Sequence, residues 1–278
     1  ECLNGLRENK VADRVVSALE GIQNLRVLMV GEVIIDEYQY AAPMGKSAKE
    51  NIIASRYEGR EAFAGGVIAS ANHVASFVDQ VDVITCIGEE DSYEDLILDT
   101  VVQNVNVHFV RLPGVPTIRK CRFVDPGHMR KLFEVYHFDD TPLAGRKEDE
   151  VCSLIAERAA DFDVVVVNDF GHGMLTKRSV DQIIHRSKFL AVNAQSNAAN
   201  HGYNTVNKYA KADYVCIDAP EARLAVRDRF SDISDLVQGP LRELIDCDRI
   251  IVTHGQNGCV TFDNKEGLGK VPAFTRQV

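Results

Sequence analysis

The chain has 278 residues and a formal net charge of −10, from 31 Lys and Arg against 41 Asp and Glu. This acidic balance argues against a dedicated nucleic-acid binder, because such proteins need a basic surface. Hydrophobic residues make up 45% of the chain and charged residues 26%, which is typical of a globular protein with a full core. We expect one main domain.

The seven cysteines include no C-x-x-C pair and are expected to be small buried side chains in a reducing compartment. No apolar run reaches the roughly 18 residues of a membrane span, and the N-terminus lacks the apolar segment of a signal peptide. We therefore expect a cytoplasmic protein with no membrane partner and no nucleic-acid partner.

Short runs rich in Val and Ile alternate with amphipathic stretches from Arg26 onward. This alternation predicts an α/β fold, a doubly wound and mostly parallel sheet flanked by helices, over residues 26–278, after a helical linker over residues 1–25. The predicted strands are Val27–Val30, Val81–Ile87, Val105–Val110, Val164–Val167, Phe189–Val192, Tyr214–Ile217 and Ile250–Thr253. The predicted helices are Val67–Val78, Tyr93–Asn104, Lys147–Ala160, Lys177–Ser187, Ala219–Arg227 and Ile233–Asp246.

Two stretches, residues 37–63 and 117–137, break this alternation. The first lacks helical periodicity, and the second is predicted to form two strands, Ile118–Val124 and Lys131–His137, around the turn at Pro126-Gly127. We expect both stretches to leave the main sheet as a small β-lid. Its unpaired edges are expected to pair between two copies of the chain, because open strand edges are templates for pairing.

Candidate ligand groups flank the first of these stretches. Asp36 follows the first predicted strand, and α/β sheets bind ligands at the carboxyl ends of their strands. Gly65-Gly66 precedes a predicted helix, where the backbone can approach a polar or anionic group closely. The structural alternatives are a solvated loop acid for Asp36 and an ordinary turn for the glycine pair.

Polar residues follow later strands as well. Asp169 comes directly after the buried Val164–Val167 run and points to the same crevice. His172 is a weak candidate for a general base, because no Ser or Cys nucleophile motif accompanies it. Asp218 and Glu221 fit a helix cap, with the alternative that they organise a hydrated Mg²⁺.

The segment Thr253-x-Gly255-x-x-Gly258 fits a hairpin turn. Its alternative function is to leave a hydroxyl and backbone amides free for a nucleotide phosphate or ribose.

The order of these motifs resembles the ribokinase-like (PfkB-type) carbohydrate kinases along nearly the whole chain from Arg26. Within that family, the similarity is greatest to the kinase domain of heptose-phosphate kinases that are often joined to a nucleotidyltransferase. The segments that carry it are Val30–Tyr40, Pro116–Arg122, Val167–Leu175 and Ala191–Asn197. The resemblance implies transfer of the γ-phosphoryl group of ATP, with Mg²⁺, to a hydroxyl of a sugar, and a fused nucleotidyltransferase domain in the native protein.

The resemblance also implies roles for individual residues. It implies that the sugar is bound by Asp36, by the backbone at Gly65 and Gly66, and by Asp169. Lys120 would bind an anionic group on a phosphorylated, heptose-like sugar. The alternative for such lid cations is protection of edge strands against aggregation. The nucleotide side would be Asn193, Asp218, Thr253, Gly255 and Gly258, and the metal side Glu221.

Several positions depart from the family pattern. Ala69 stands where the family has Asn, and we expect Asn72, one helical turn later, to substitute for it. Asp218 replaces the first residue of the family's Asn-x-x-Glu motif, and Gln195 stands at the position of a family Lys. We therefore expect the nucleotide-binding residues to depart more from the family pattern than the sugar-binding residues.

The family's glycine-rich turn, of the type Asp-Thr-x-Gly-Ala-Gly-Asp, would begin after Val278. Its amides and its last Asp, the catalytic base, are therefore expected beyond this sequence, and we expect no turnover by the 278-residue chain alone. The alternative function is a non-catalytic sugar- or nucleotide-binding module on the kinase fold. A dinucleotide-dependent oxidoreductase is disfavoured, because no G-x-G-x-x-G follows the first strand.

Overall fold

The computed structural model describes residue 7 and residues 10–274. The helices are α1 (Val11–Ile22), α2 (Val67–Val74), α3 (Glu94–Thr100), α4 (Gly145–Arg158), α5 (Lys177–Arg186), α6 (Ala219–Val226), α7 (Ile233–Gln238) and α8 (Pro240–Leu244). The strands are β1 (Arg26–Gly31), β2 (Val33–Lys46), β3 (Ile53–Gly66), β4 (Gln80–Glu90), β5 (Val105–Pro116), β6 (Arg119–Asp125), β7 (Arg130–His137), β8 (Val164–Asp169), β9 (Leu190–Ala194), β10 (Lys211–Ala212), β11 (Tyr214–Asp218), β12 (Asp246–Cys247), β13 (Arg249–Thr253), β14 (Cys259–Asp263) and β15 (Gly267–Val271).

The main sheet has nine strands in the order β15-β14-β13-β11-β9-β8-β1-β4-β5. The seven strands from β13 to β5 run parallel, and β14 and β15 add an antiparallel edge. Buried residues form one core cluster on each face of the sheet: Val165 and Val167 face one, while Val164 and Val166 pack against the other. The predicted doubly wound α/β fold is confirmed, and all seven predicted strands are present.

A second sheet of four strands, β3-β2-β6-β7, stands apart from the main one and corresponds to the expected lid stretches. It begins earlier than expected, because β2 starts at Val33 and pairs with β3 as far as Gly66. The apolar run Val33-Ile34-Ile35 stays extended and buried as the chain passes from core to lid. Asp36 consequently lies within a lid strand and not in a loop.

The prediction of one helix over Ile233–Asp246 is wrong. Gly239 adopts φ −116° and ψ −102°, and Pro240 begins α8 without an amide hydrogen to continue α7, so two short helices form. Of the expected linker helix, α1 covers Val11–Ile22, and residues 1–6, 8 and 9 lie outside the described residues. In the described part of the chain, no helix combines the length and apolarity needed to cross a bilayer.

Candidate functional site

A cavity of about 560 Å³ lies between the lid and the start of α2. Asp36 and Gly65 both line it, as does Ala69 from α2, and the aromatic rings of Tyr38 and Phe63 form part of its wall. Two residues that the sequence assigned to the sugar are therefore brought together in one pocket of small-molecule size.

Gly65 makes room for the Asp36 carboxylate. The two residues lie on the paired strands β2 and β3, and a Cβ added at Gly65 would overlap Asp36 Oδ2. On its other side, Asp36 Oδ1 is ion-paired with the Arg122 guanidinium from β6. Arg122 Nε also lies 3.2 Å from Glu134 Oε1, so the Asp36 carboxylate is held between a glycine and a braced arginine.

Lys120 is a buried cation beside this group. It lies opposite Asp36 in the register of β2 and β6, is only 7% exposed, and its Nζ lies 5.4 Å from the centre of the Tyr136 ring. Burial lowers its pKa, and the nearby Asp36 carboxylate acts in the opposite direction. Among the described residues, no carboxylate oxygen lies within 4.0 Å of Lys120 Nζ.

Gly66 and Asn72 serve the fold. Gly66 has φ +60°, and a Cβ there would overlap the carbonyl oxygen of Glu32, which accepts a hydrogen bond from Val67 N at 3.0 Å. Asn72 Nδ2 donates to Thr100 O at 2.9 Å. Its Oδ1 accepts at 3.1 Å from the backbone amide two residues after Thr100. The expectation that Asn72 substitutes as a sugar ligand is therefore corrected: its amide closes the turn after α3.

Asp169 is also corrected. It is fully buried and accepts hydrogen bonds from Tyr209 OH at 2.6 Å, Asn204 Nδ2 at 3.0 Å and Gly171 N at 3.0 Å, in addition to an ion pair with Lys208. A carboxylate that is fully enclosed by protein donors does not contact a sugar. It anchors the loop that follows β8.

Glu32 is a buried acid that the sequence analysis missed. Its two carboxylate oxygens accept hydrogen bonds from Phe170 N at 2.9 Å and His172 N at 3.1 Å. Burial raises its pKa, and the charge of Asp169 adds to that effect. The signal in the sequence is its place directly after β1. From there its side chain reaches the loop that follows the neighbouring strand β8.

His172 is not placed to act as a base. It is 5% exposed, both ring nitrogens are buried without a hydrogen-bond partner among the described residues, and its ring packs 4.9 Å from that of Phe138. Burial lowers its pKa to about 4, with a further contribution from Lys120. The imidazole is therefore neutral near pH 7.

Three of the predicted nucleotide residues lie along one edge of the main sheet. Asn193, Asp218 and Thr253 stand near the carboxyl ends of the neighbouring strands β9, β11 and β13, and Asp218 pairs directly with Thr253. Asn193 Nδ2 donates to Cys216 O at 2.8 Å. This edge is the place where open α/β sheets bind ligands.

The turn after Thr253 is a hairpin between β13 and β14. Gly258 has φ +84°, and a Cβ there would overlap Val271 O, so this glycine is required by packing. Gly255 has φ +50° with open space around its Cα, and Thr253 is exposed. The hairpin interpretation is confirmed, and Thr253 and Gly255 remain accessible at the sheet edge.

Asp218 and Glu221 form a capping box at the start of α6. Asp218 Oδ1 accepts from Glu221 N at 2.7 Å, and Glu221 Oε2 accepts from Asp218 N at 2.8 Å. Glu221 Oε1 accepts a third bond from Ser196 N at 3.0 Å, and burial raises the pKa of Glu221. The structure favours the cap over the Mg²⁺ ligand, because both oxygens are engaged by backbone amides.

No group of three or more His, Cys, Asp or Glu side chains suited to a metal ion occurs within the described residues. Mg²⁺ needs only one or two carboxylates, but both oxygens of Glu221 already accept from backbone amides, so this side chain does not fit a directly bound Mg²⁺.

Comparison with known proteins decides the family. The model of the pfkB family carbohydrate kinases matches residues 24–278. The chain belongs to this family. It is 24% identical over 262 residues to the bifunctional protein HldE of Hyphomonas neptunium, covering 92% of this chain and 52% of that protein. It is 25% identical over 265 residues to the HldE protein of Bradyrhizobium diazoefficiens, again covering 92% and 52%.

The chain thus spans about half the length of the curated relatives it matches. Among solved structures, it is similar to phosphofructokinase-2 from Escherichia coli in complex with fructose-6-phosphate, with a TM-score of 0.64, 15% identity, and coverage of 89% of this chain and 80% of that one. A ribokinase from Thermotoga maritima gives a TM-score of 0.66, 17% identity, and coverage of 91% and 79%. At these identities the structural similarity shows the fold alone.

Proposed function

We propose that residues 26–278 are the kinase domain of an ATP-dependent kinase for an anionic sugar, in the first place a phosphorylated, heptose-like one. Membership of the pfkB family supports the reaction type, and the HldE relatives support the sugar class and a fused nucleotidyltransferase domain in the native protein. A ribokinase of the same fold from Arabidopsis thaliana, similar with a TM-score of 0.63, forms a complex with ribose and ATP, which supports ATP as the donor.

The observation that carries the proposal is the buried ammonium of Lys120 next to Asp36. A buried charge without a counter-ion is costly, so an anionic group of a ligand that pairs with Lys120 gains more than it would with a solvated lysine. Asp36 beside it is an acceptor for sugar hydroxyls, held in place by Arg122. Lys120 does not itself line the lid cavity, so a ligand satisfies both groups when its hydroxyls bind Asp36 and its anionic group extends beyond the lining to Lys120.

The donor is proposed to lie along the edge formed by Asn193, Thr253 and Gly255. Both oxygens of Glu221 already accept from backbone amides, so no step is assigned to a protein-bound Mg²⁺. What the chain itself does is bind and orient: the lid cavity encloses the acceptor sugar, and positioning of this kind is a large part of phosphoryl-transfer catalysis.

A non-catalytic binding module is the second candidate. The capping box favours it. Asp218 and Glu221 stand at the family's Asn-x-x-Glu motif, and their side chains cap the start of the helix. The lid cavity would then bind a sugar without turning it over.

Calorimetric titration with heptose, hexose and pentose phosphates and with the matching free sugars tests the sugar assignment. We expect Lys120→Met to weaken binding of the phosphates and to leave free sugars nearly unaffected. Asp36→Ala should weaken both by about 1.5–3 kcal/mol, the range for hydrogen bonds to a charged group. Lys46→Met, at an exposed lid lysine, is the matched control. Unchanged affinity of the Asp36→Ala protein for every ligand that binds would refute the assignment.

Release of ADP in the presence of the sugar that binds most tightly separates the two candidates. The 278-residue chain is expected to stay at background, because its sequence contains no glycine-rich turn of the type Asp-Thr-x-Gly-Ala-Gly-Asp. A native protein that includes such a turn should turn over if it is a kinase, at the order of 1–100 per second usual for kinases. Binding of the sugar without any turnover by that native protein would favour the module.

A further inference from the structure

A second cavity, of about 590 Å³, lies beside α6 and outside the lid. Pro220 and Leu224 supply its apolar lining, and Arg223, Arg227, Arg229 and His201 supply its basic groups. None of the lid residues and none of the Thr253–Gly258 turn lines it. It is therefore distinct from the sugar cavity and from the proposed donor edge.

Two hydrogen-bonded loops flank this cavity. In the turn after α6, Arg223 NH1 donates to Ser231 O at 2.8 Å, while Asp228 Oδ1 accepts from Phe230 N at 2.8 Å and Ser231 N at 3.0 Å. In the loop that contributes His201 to the cavity, Tyr203 N donates at 2.7 Å to the backbone carbonyl three residues earlier. Both loops are fixed from within, so little conformational entropy would be lost when a ligand binds.

The side chains that these loops present are basic and aromatic. Within the described residues, no carboxylate lies within 4.0 Å of the Arg227 or Arg229 guanidinium. The acid between them, Asp228, turns its carboxylate toward the loop's own amides and hydroxyl. Tyr203 is 93% exposed and Phe230 is 88% exposed, the two highest values among the large hydrophobic side chains that the structure describes.

Arg227 carries a side chain where the backbone favours glycine. It caps α6 with φ +57° and ψ +35°, the left-handed conformation in which glycine is the preferred residue. Because Arg227 is exposed, packing against the core does not compensate for the less favourable conformation. Four other described residues that are not glycine also have a positive φ, so the value of this conformation lies in the test: a glycine at position 227 fits the backbone without strain.

We propose that this cleft binds a nucleotide, at a site separate from that of the phosphoryl donor. Guanidinium groups bind phosphate oxygens in a bidentate manner, which suits Arg227 and Arg229, since neither is paired with a carboxylate among the described residues. The Arg229 guanidinium lies 5.8 Å from the centre of the Phe230 ring. Exposed aromatic rings stack on bases. Tyr203 and Phe230 do not line the cavity themselves, but they lie two residues and one residue after the lining residues His201 and Arg229. The volume is that of a small-molecule site, and the acidic surface of the rest of the chain disfavours a long nucleic acid.

The test is calorimetric titration of the full chain with ATP, tripolyphosphate and adenosine. Arg227→Gly is the most informative variant, because glycine fits the left-handed backbone: its melting temperature should be equal to or above that of the wild type, so a loss of binding is not a loss of folding. We expect Arg227→Gly and Arg229→Ala each to weaken ATP binding at this site by about tenfold or more. Phe230→Ala should weaken ATP and leave tripolyphosphate unchanged.

Arg186→Ala, at an exposed arginine in the last turn of α5, is the matched control and should leave binding unchanged. A nucleotide held only at the donor edge would give identical titrations for the wild type and both arginine variants, and that result overturns the proposal. Absence of ATP binding to the wild type overturns it as well. Tripolyphosphate binding as tight as that of ATP, insensitive to Phe230→Ala in both cases, would show an anion site and refute the nucleotide assignment.

Discussion

Acidic side chains at strand ends do different work in this protein, and burial separates them. Asp36 is accessible in a cavity and is held by Arg122, whereas Asp169 is enclosed by four protein donors. Glu32 is enclosed as well and ties the loop after β8 to the start of the lid. Since a buried carboxylate must be satisfied within the protein, only Asp36 of these three is free to accept from a ligand.

His172 makes the stability of the protein depend on pH. Its folded-state pKa of about 4 lies below the ordinary value of 6.5, so only the unfolded chain takes up this proton as the pH falls from 6.5 to 4, and stability is lost. As the pH falls from 6.5 to 4, we expect the free energy of unfolding of His172→Phe to rise relative to that of the wild type by on the order of 3 kcal/mol. Urea denaturation at several pH values measures the difference.

The control for this measurement is His185→Phe, at an exposed histidine. Glu32 acts in the opposite direction, because its pKa is raised to about 7 and its contribution to stability falls as the pH rises from about 4.5 to 7. That contribution is common to both proteins and cancels in the comparison. A difference between His172→Phe and the wild type that does not change with pH would contradict the expected neutral imidazole.

The capping box gives a second prediction for a single residue. Glutamine keeps only one acceptor, so Glu221→Gln should lose one of the bonds to Ser196 N and Asp218 N and destabilise the protein by about 1 kcal/mol. Thermal denaturation with and without Mg²⁺ measures this, with Glu243→Gln at an exposed position as the control. Stabilisation by Mg²⁺ in the wild type but not in Glu221→Gln would instead indicate a metal ligand.

At the scale of elements, the lid and the core share one continuous strand. The chain leaves β1 at Gly31, and β2 runs from the buried Val33 out to the exposed Lys46. The buried end of β2 pairs with Gly65 and Gly66 of β3, directly before α2. The sugar cavity lies at this junction, so its shape depends on how closely β2 and β3 approach there.

Gly65→Ala tests this close approach. The added Cβ would displace the Asp36 carboxylate, and we expect a marked loss of sugar affinity together with a stability loss of about 1–3 kcal/mol from overpacking. Gly59→Ala in the same strand is the matched control, because no atom lies within 4 Å of a Cβ there. Equal affinities of the two variants for the sugar would contradict the placement of the site.

At the scale of the whole molecule, the main sheet is covered on both faces while the lid sheet keeps open edges. Its outer strands are β3 and β7, and lid residues such as Ile53 and Phe133 are exposed by 64% and 55%. Open, partly apolar strand edges favour pairing with another chain.

We therefore expect a homodimer through the lid. Analytical ultracentrifugation at tens of micromolar should give a dimer mass, and Ile53→Glu should shift it toward the monomer, because it places a charge in the apolar contact. Leu98→Glu, at a comparably exposed leucine on α3, should not change the mass. A wild-type protein that is monomeric throughout this concentration range would contradict the lid dimer.

The sequence predicted the strands of the main sheet because short, continuous apolar runs are typical of strands that are buried on both faces. It predicted the hairpin around Pro126-Gly127 from turn chemistry and the accessible acid Asp36 from its place after the first strand. It did not divide the helix at Gly239, because the apolar spacing continues across it. The roles of Asp169 and Asn72 were wrong, because hydrogen-bond partners far away in the chain occupy their side chains.

By itself, the sequence determined the α/β alternation, the lid stretches and the family resemblance, because these depend on local periodicity and on the order of short motifs along the chain. Only the tertiary structure decided which polar groups are free to meet a ligand. Lys120 and Lys208 both lie near an acid that follows a predicted strand. Lys208 is paired with Asp169, while Lys120 is 7% exposed with no carboxylate within 4.0 Å in the described part of the chain. Pairing of that kind depends on residues that are distant in sequence and adjacent in space, and no local pattern contains it.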